Sequence, residues 1–275
     1  MNNFKQAPLP FQGQKRRFLK AFNQALNSFS KDATYVDLFG GSGLLAHTVK
    51  KKYPNARVIW NDYDNFKQRL EAIPETNLLL QSLRNLLADY PRDKRITGIM
   101  REVVIKLIAS HEKKYGYCDY ITLSASLLFG GNYSTDLKDF SSKTFYNRIR
   151  LSDYNAEGFL KDVERIQVDY KKAYNDFKGD NTVFLVDPPY LTTDVSSYNS
   201  GAYWKLKDYL DVLNVLDASE YFYFTSNKSQ IVELCEWIET RTLTGNPFEG
   251  STMTTTGNKV NYNSGYTDIM LYKNE

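Results

Sequence analysis

The sequence predicts an α/β fold: a parallel sheet with helices on both faces, interrupted by an inserted, mainly helical segment. Three observations predict it. Short β-rich runs alternate with helical patterns toward both ends of the chain, as a parallel sheet requires. The first run, "ATYVDLF", passes straight into "GGSG" and a helical stretch, a strand–turn–helix unit. Between residues 64 and 165 the strand pattern gives way to helical periodicity for about a hundred residues.

The chain opens on "KQAPLPFQGQKRRFLK", where Lys5, Lys15, Arg16, Arg17 and Lys20 stand with no acid among them. Such a patch can neutralise phosphates, although a solvated helix face has the same composition. The first strand is expected over 33–39, followed by the glycine turn and the helix "LLAHTVKKKY", with His47 on its solvent side. A second strand follows at 56–61. Leu78, Leu79, Leu83, Leu86 and Leu87 then trace one helical face, and Ile96, Ile99, Val103, Leu107 and Ile108 another. The stretch "LLFGGNYSTDLKDFSSKTFYNRIR" reads as a loop or hairpin outside the core. Strands at 165–170, 182–187 and 221–226 complete the sheet, and the tail "GYTDIMLYK" is expected to form an antiparallel edge hairpin with "TRTLTG". The sheet domain is thus expected over 1–64 and 165–275, with the insertion at 65–164.

With 42% hydrophobic and 24% charged residues and no apolar run of ~18, the chain reads as globular and not membrane-associated. Its N-terminus lacks the apolar stretch of a signal peptide, so a cytoplasmic location is expected. Cys118 and Cys235 are far apart, and His47 and His111 form no HExxH pattern. Neither a disulfide framework nor a metal site is expected.

The chemistry gathers at strand ends. The glycine turn at 39–43 lets backbone approach a ligand and presents free N–H groups at a helix start. It has neither the GxGxxG spacing of a dinucleotide site nor the GxxxxGK[ST] of a phosphate loop. Asp62 ends the second strand 19 positions after Gly43, where an acid about 20 residues beyond the turn accepts hydrogen bonds from ribose. Asp64 is a fallback that also suits a helix cap. A later strand ends in Asp187-Pro188-Pro189-Tyr190, at the strand edge where ligands of open α/β sheets bind.

FxGxG (residues 39–43), the acid Asp62 and DPPY (residues 187–190), in that order, resemble the α group of amino-methylating DNA methyltransferases, and more narrowly the Dam-type, D12-class adenine-N6 enzymes. "PFQGQKRRFL" is similar to that family's opening WxGGK motif, with Phe11, Gly13 and Lys15 in the Trp, first Gly and Lys positions. "NYNSGYTDIMLY" resembles its last hairpin.

The resemblance implies a Rossmann-like S-adenosylmethionine-dependent methyltransferase sheet with an inserted target-recognition domain. It implies S-adenosylmethionine as methyl donor and duplex DNA as substrate, with the adenine flipped out of the helix. Asp187 and the Pro188 carbonyl would accept the two N6 hydrogens, Pro189 would stiffen the motif, and Tyr190 would stack on the base. Cofactor contacts are expected from Phe11, Gly13, Lys15, Asp37, Phe39, Gly41, Gly43, Asp62, Asp169, Tyr170 and Asp187. Ser226 and Asn227 are expected either at the base pocket or as a helix cap. Asn132, Tyr133, Lys138, Lys143, Asn147 and Arg148 are the expected DNA contacts, with Ser134 beside them. A monomer is expected, with a restriction endonuclease as a candidate partner.

In relatives that methylate GATC, an NGxxR-like stretch opens the recognition hairpin. Here residues 130–134 end without arginine, and Pro10 replaces a basic residue before the WxGGK-like motif, which points to a target other than GATC. Cytosine-N4 methylation is an alternative, since it too acts on an exocyclic amine; enzymes of that kind more often carry Ser at position 187. RNA or protein-glutamine methylation would favour Asn there. An inactive DNA-binding relative has no reason to keep Asp187, Pro188, Tyr190 and Asp62 together.

Overall fold

The apolar runs become strands because each can be covered on both faces. The computed structural model describes residues 4–189, 204–217, 219–239, 245–261 and 264–274. Its strands are β1 (Thr34–Asp37), β2 (Arg57–Asn61), β3 (Arg95–Ile96), β4 (Phe145–Tyr146), β5 (Glu164–Ile166), β6 (Thr182–Val186), β7 (Glu220–Ser226), β8 (Thr252–Asn261) and β9 (Ser264–Lys273). The helices are α1 (Leu19–Ala25), α2 (Leu44–Lys52), α3 (Phe66–Glu71), α4 (Ile73–Leu86), α5 (Gly98–Tyr115), α6 (Tyr120–Leu127), α7 (Leu137–Ser142), α8 (Tyr170–Phe177), α9 (Leu206–Leu213) and α10 (Ile231–Glu239). The chain divides into a sheet unit (Met1–Gln6, Gly13–Asp64, Gly158–Glu275) and a helical unit (Ala7–Gln12, Asn65–Glu157). Among the described residues no helix is long and apolar enough to cross a membrane.

Among the described residues the sheet unit carries seven strands in the order β5-β2-β1-β6-β7-β9-β8. The strands from β5 to β7 are parallel, while β9 runs antiparallel to both β7 and β8. From β1 the chain moves outward through β2 to β5, then returns to β6 on the other side of β1. The strand order therefore reverses between β1 and β6, and in such folds the crevice at the carboxyl ends of that pair receives ligands. Every residue of β6 is buried, which is why its run is continuously apolar instead of alternating.

Side-chain alternation on β7 divides the core. Tyr221 and Tyr223 join Val36, Phe184, Val212 and Leu216 in one layer. Phe222 and Phe224 point the other way, where Phe22 of α1 lies 4.8 and 6.2 Å from their ring centres.

Several expectations need correction. The tail does form an antiparallel hairpin at the edge of the sheet, but its partner is β8 instead of "TRTLTG", and β9 is the inner strand of the pair. Of "TRTLTG", residues 240–244 lie outside the described residues. His47 is 1% exposed, not on the helix surface. Its Nδ1 accepts the Leu160 N–H at 3.3 Å, and its ring packs on Phe159 and Phe4. Residues 158–164 group with the sheet unit and residues 65–157 with the helical one.

In the helical unit, buried Arg69 donates to both Asp119 oxygens at 3.1 Å, to the Pro10 carbonyl at 2.8 Å and to Thr122 at 3.2 Å. Asp119 also caps α6 through the Thr122 amide. One chain of polar contacts thus ties residues 7–12 to α3 and α6. Helix α4 buries Leu79, Leu80 and Leu83 while Leu78 is half exposed, and α5 buries Val104 and Ile108 while Ile99 and Val103 face solvent. An apolar run longer than a single stripe offers two registers, and packing selects one. The expected loop at 127–150 contains α7 and β4, with Phe140 and Phe145 fully buried.

Trp60 packs against the glycine turn so closely that a Cβ on Gly40 would lie 2.2 Å from its Cδ1 and 2.8 Å from the Asn61 carbonyl. Gly40→Ala is expected to cost roughly 1 to 3 kcal/mol, as overpacking does. Urea denaturation checks this, and an unchanged midpoint would contradict it.

Candidate active site

The carboxyl ends of β1 and β6 place two acids side by side in the switch-point crevice. The Leu38 N–H donates to the Leu185 carbonyl at 3.0 Å, so the two strands stay paired up to Asp37. Beyond Asp37 the backbone turns through Gly41 (φ 45°) and Gly43 (φ 71°), conformations that glycine adopts without strain. The Gly43 N–H closes the turn on the Gly40 carbonyl at 2.7 Å, and α2 begins with no side-chain cap.

Lys15 bridges to the second acid. Its Nζ lies 2.6 Å from Asp187 Oδ2 and donates to the Gly13 carbonyl at 2.8 Å. Gly13 itself has φ 80°, which lets the chain double back beneath the ammonium. Burial raises the Asp187 carboxyl to about 6; Lys15 opposes the shift and Asp268 adds to it. Burial raises Asp37 further, to about 8, and the neighbouring Asp187 carboxylate adds to it. The Ala46 amide at the start of α2 and the Lys15 ammonium pull it partly back. Asp37 is 1% exposed, and neither of its oxygens completes a hydrogen bond among the described residues. One ammonium faces two acids, and Asp37, largely protonated at neutral pH, would ionise beside a cationic ligand.

Around this centre the expected residues fare differently. Phe39 packs on Tyr170 with ring centres 4.9 Å apart, and Trp204 joins both rings at 5.8 Å. Asp62 is fully buried at the tip of β2, where Arg165 Nε donates to its Oδ2 at 2.8 Å. Asp169 caps α8 through the Lys171 amide at 2.8 Å and is exposed. Asn227 joins the end of β7 to Thr267 by two hydrogen bonds of 2.9 Å, while Ser226 is buried. Pro188 is buried and Pro189 half-buried; Tyr190 lies outside the described residues.

Phe11 belongs to the helical unit, where its ring meets Phe66 edge-on at 5.5 Å. In that unit Asn132 and Lys138 are exposed and Tyr133 half-buried. Arg148 is exposed and lies 3.4 Å from Asp93. Lys143 is engaged internally, by Asp139 at 2.8 Å and by the Tyr133 carbonyl. Asn147 is 3% exposed, and its side-chain amide donates to the Tyr90 carbonyl at 2.7 Å, so it braces the β3–β4 region instead of standing on the surface as a groove contact must.

Three contributors escaped sequence reasoning. Asn61 donates to the Leu38 and Val168 carbonyls at 3.0 and 2.9 Å and accepts the Val168 N–H at 3.0 Å, fastening the ends of β1, β2 and the segment after β5. A polar residue closing a buried strand was the available signal. Arg165 and Trp204 gave none, because their partners are distant in sequence.

Asp37 binds more protons folded than unfolded between 3.8 and about 8, so its contribution to stability falls as pH rises through that window. Asp37→Asn is therefore expected to stabilise the ligand-free protein at the alkaline end by roughly 1 to 3 kcal/mol. Thermal melts of both proteins from about pH 4 to 8 should diverge as pH rises; a constant gap would contradict the burial of an unpartnered carboxylate.

With this geometry in place, comparisons assign the chain. The family model for D12 class N6 adenine-specific DNA methyltransferases matches residues 11–93, which include Gly13, Lys15, Asp37, the glycine turn and Asp62 and stop short of Asp187. A Haemophilus influenzae protein named "Putative methyltransferase" is 36% identical over 278 residues, covering 98% of this chain and 93% of that protein. Among solved structures, a precorrin-6y C5,15-methyltransferase of Geobacter metallireducens aligns over 94% of this chain and 89% of its own, at 9% identity and a TM-score of 0.37. The chain belongs to the family of D12 class N6 adenine-specific DNA methyltransferases.

Proposed function

We propose that this protein methylates N6 of an adenine flipped out of duplex DNA, with S-adenosylmethionine as donor. The observation that carries the proposal is the Lys15–Asp187–Asp37 cluster at the switch point. The cofactor bears an ammonium and a sulfonium, and its methyl group is electrophilic without a metal. The residues present fit it: the orphaned Asp37 carboxylate suits the ammonium, and the turn at 39–43 offers bare backbone beside it. Phe39, Tyr170 and Trp204 supply aromatic surface. Asp62 is the candidate for the ribose hydroxyls, in competition with Arg165.

The exocyclic N6 of adenine is a poor nucleophile because its lone pair is delocalised into the ring. Asp187 and the Pro188 carbonyl would accept its two hydrogens and hold the nitrogen closer to tetrahedral. Lys15 engages Oδ2 of Asp187, so Oδ1 is the candidate acceptor for N6. Each proline ring fixes φ, so the acceptors are aimed before the base arrives. Lys15 keeps Asp187 ionised against the effect of burial. Flipping costs a few kcal/mol, recovered by contacts to the extruded base. The helical unit is the candidate for target recognition, with Asn132, Tyr133, Lys138 and Arg148 its available surface contacts and Asn147 excluded by burial.

Transfer of labelled methyl groups to sequence-diverse duplex DNA tests this directly. N6-methyladenine is the expected product; N4-methylcytosine, or no product at all, would overturn the proposal. Asp187→Ala should lower kcat by roughly 10²-fold or more, as loss of a transition-state contact does. In the wild type, kcat/KM should fall as pH drops through about 6, where Asp187 takes up a proton. Lys15→Met should move that acid limb to higher pH, because the ammonium that favours the carboxylate is gone. A limb that stays in place would detach Lys15 from Asp187.

A further inference from the structure

The basic N-terminal stretch leaves most of its charge unexplained by methyl transfer. Lys15 faces Asp187, but Lys5, Arg16 and Lys20 turn away to a separate cavity of about 510 Å³, where Lys51 and Lys52 of α2 complete a ring of five cations. Among the described residues no acid lines that cavity. Elsewhere in the sheet unit basic side chains meet carboxylates, as in Arg57–Glu164, Arg165–Asp62 and Lys171–Asp211. Among the described residues, the five cations of the cavity enter no ion pair.

A helix end alone does not account for them. Lysines in the last turn of α2 are favoured by its dipole, but that gives no reason for Lys5, Arg16 and Lys20 to converge on the same hollow. Two of the cations are held in place: Lys52 Nζ donates to Asn27 Oδ1 at 2.6 Å and to the Asn23 carbonyl, and Arg16 donates to Gln6 Oε1 at 3.1 Å. Partial burial pulls the Lys52 ammonium below its ordinary value, so an anion nearby would restore it. Phe4, Leu19 and the buried His47 line the same cavity and add apolar surface to it.

The cavity is distinct from the methyl-transfer site. Helix α2 begins at the glycine turn and runs nine residues, or about 13 Å at 1.5 Å per residue, so Lys51 and Lys52 sit at the opposite end of the helix from Asp37. Its volume lies within the ~300–1,000 Å³ of small-molecule pockets, and a concave, half-enclosed hollow suits a compact anion better than the rigid backbone of a duplex.

We propose that this cavity between α1, α2 and the N-terminal segment binds a small ligand carrying two or more phosphates. Such a ligand could be inorganic or attached to a nucleoside, and the apolar lining suits the second kind.

Calorimetric titration of the full chain with tripolyphosphate and, separately, with metal-free ATP tests this. Saturable binding at one equivalent is expected, weakening as salt rises. The double variant Lys20→Glu, Lys51→Glu should raise Kd at least tenfold for both ligands while methyl transfer measured without phosphate stays unchanged. Tighter binding of ATP than of tripolyphosphate would assign the nucleoside form, and equal binding the phosphates alone. If the double variant melts early, Lys20→Gln, Lys51→Gln replaces it. No binding of either ligand, or equal binding by wild type and variant, would overturn the proposal. So would a variant that loses duplex DNA affinity while the wild type ignores tripolyphosphate, because the ring would then be a DNA-backbone contact.

Discussion

Two acids, crowded where adjacent parallel strands end, face one ammonium. That imbalance governs the sheet unit of this protein. Asp37 and Asp187 stand next to each other because β1 and β6 are hydrogen-bonded neighbours at the reversal of strand order. Water is excluded from Asp37, and Lys15 is engaged by Asp187. Folding therefore carries an electrostatic penalty at neutral pH that an apolar pair would avoid. Such a penalty makes physical sense at a site whose ligand brings positive charge, since binding then supplies the missing counterion.

The surroundings hold that arrangement still. Asn61 fastens three chain segments at the same edge, and Trp60 lies so tightly on Gly40 that the turn has little room to relax. Leu160 covers Gly43, and His47 anchors Leu160 in turn. The glycines serve two needs at once: they permit positive φ, and they admit neighbouring side chains that a Cβ would exclude. In the helical unit the Arg69–Asp119 pair has a comparable organising role, with its hydrogen-bonding capacity shared among Thr122 and the Pro10 carbonyl. There a buried ion pair is matched by its own partners, so it stabilises geometry without leaving charge for a ligand.

Charge placement separates the functions of the basic residues. Lys15 and Arg16 are adjacent in sequence, yet one lies beside Asp187 and the other lines a cavity with Lys5, Lys20, Lys51 and Lys52. A patch that looks uniform in sequence is thus divided by folding, one cation facing a carboxylate and its neighbour a cavity lined by other cations.

By itself the sequence determined the strands β1, β2, β6 and β7, the glycine turn and the chemistry-bearing tips, because these depend on short-range patterns; it missed β3, β4 and β8, and the strand expected over 165–170 ends at Ile166, with Tyr170 opening α8. The continuous apolar run before Asp187, the spacing from Gly43 to Asp62 and the order of the motifs needed no tertiary information. The tertiary structure decided what depends on distant partners. It buried His47 beneath residues 159 and 160, turned Asn147 into a brace, and chose Leu80 over Leu78 for the core of α4. It also put β9 inside the sheet, where only pairing with β7 could place it. The physical reason is the same in each case. Local propensity and periodicity are written along the chain, whereas burial and ion pairing arise between residues that the chain brings together only by folding.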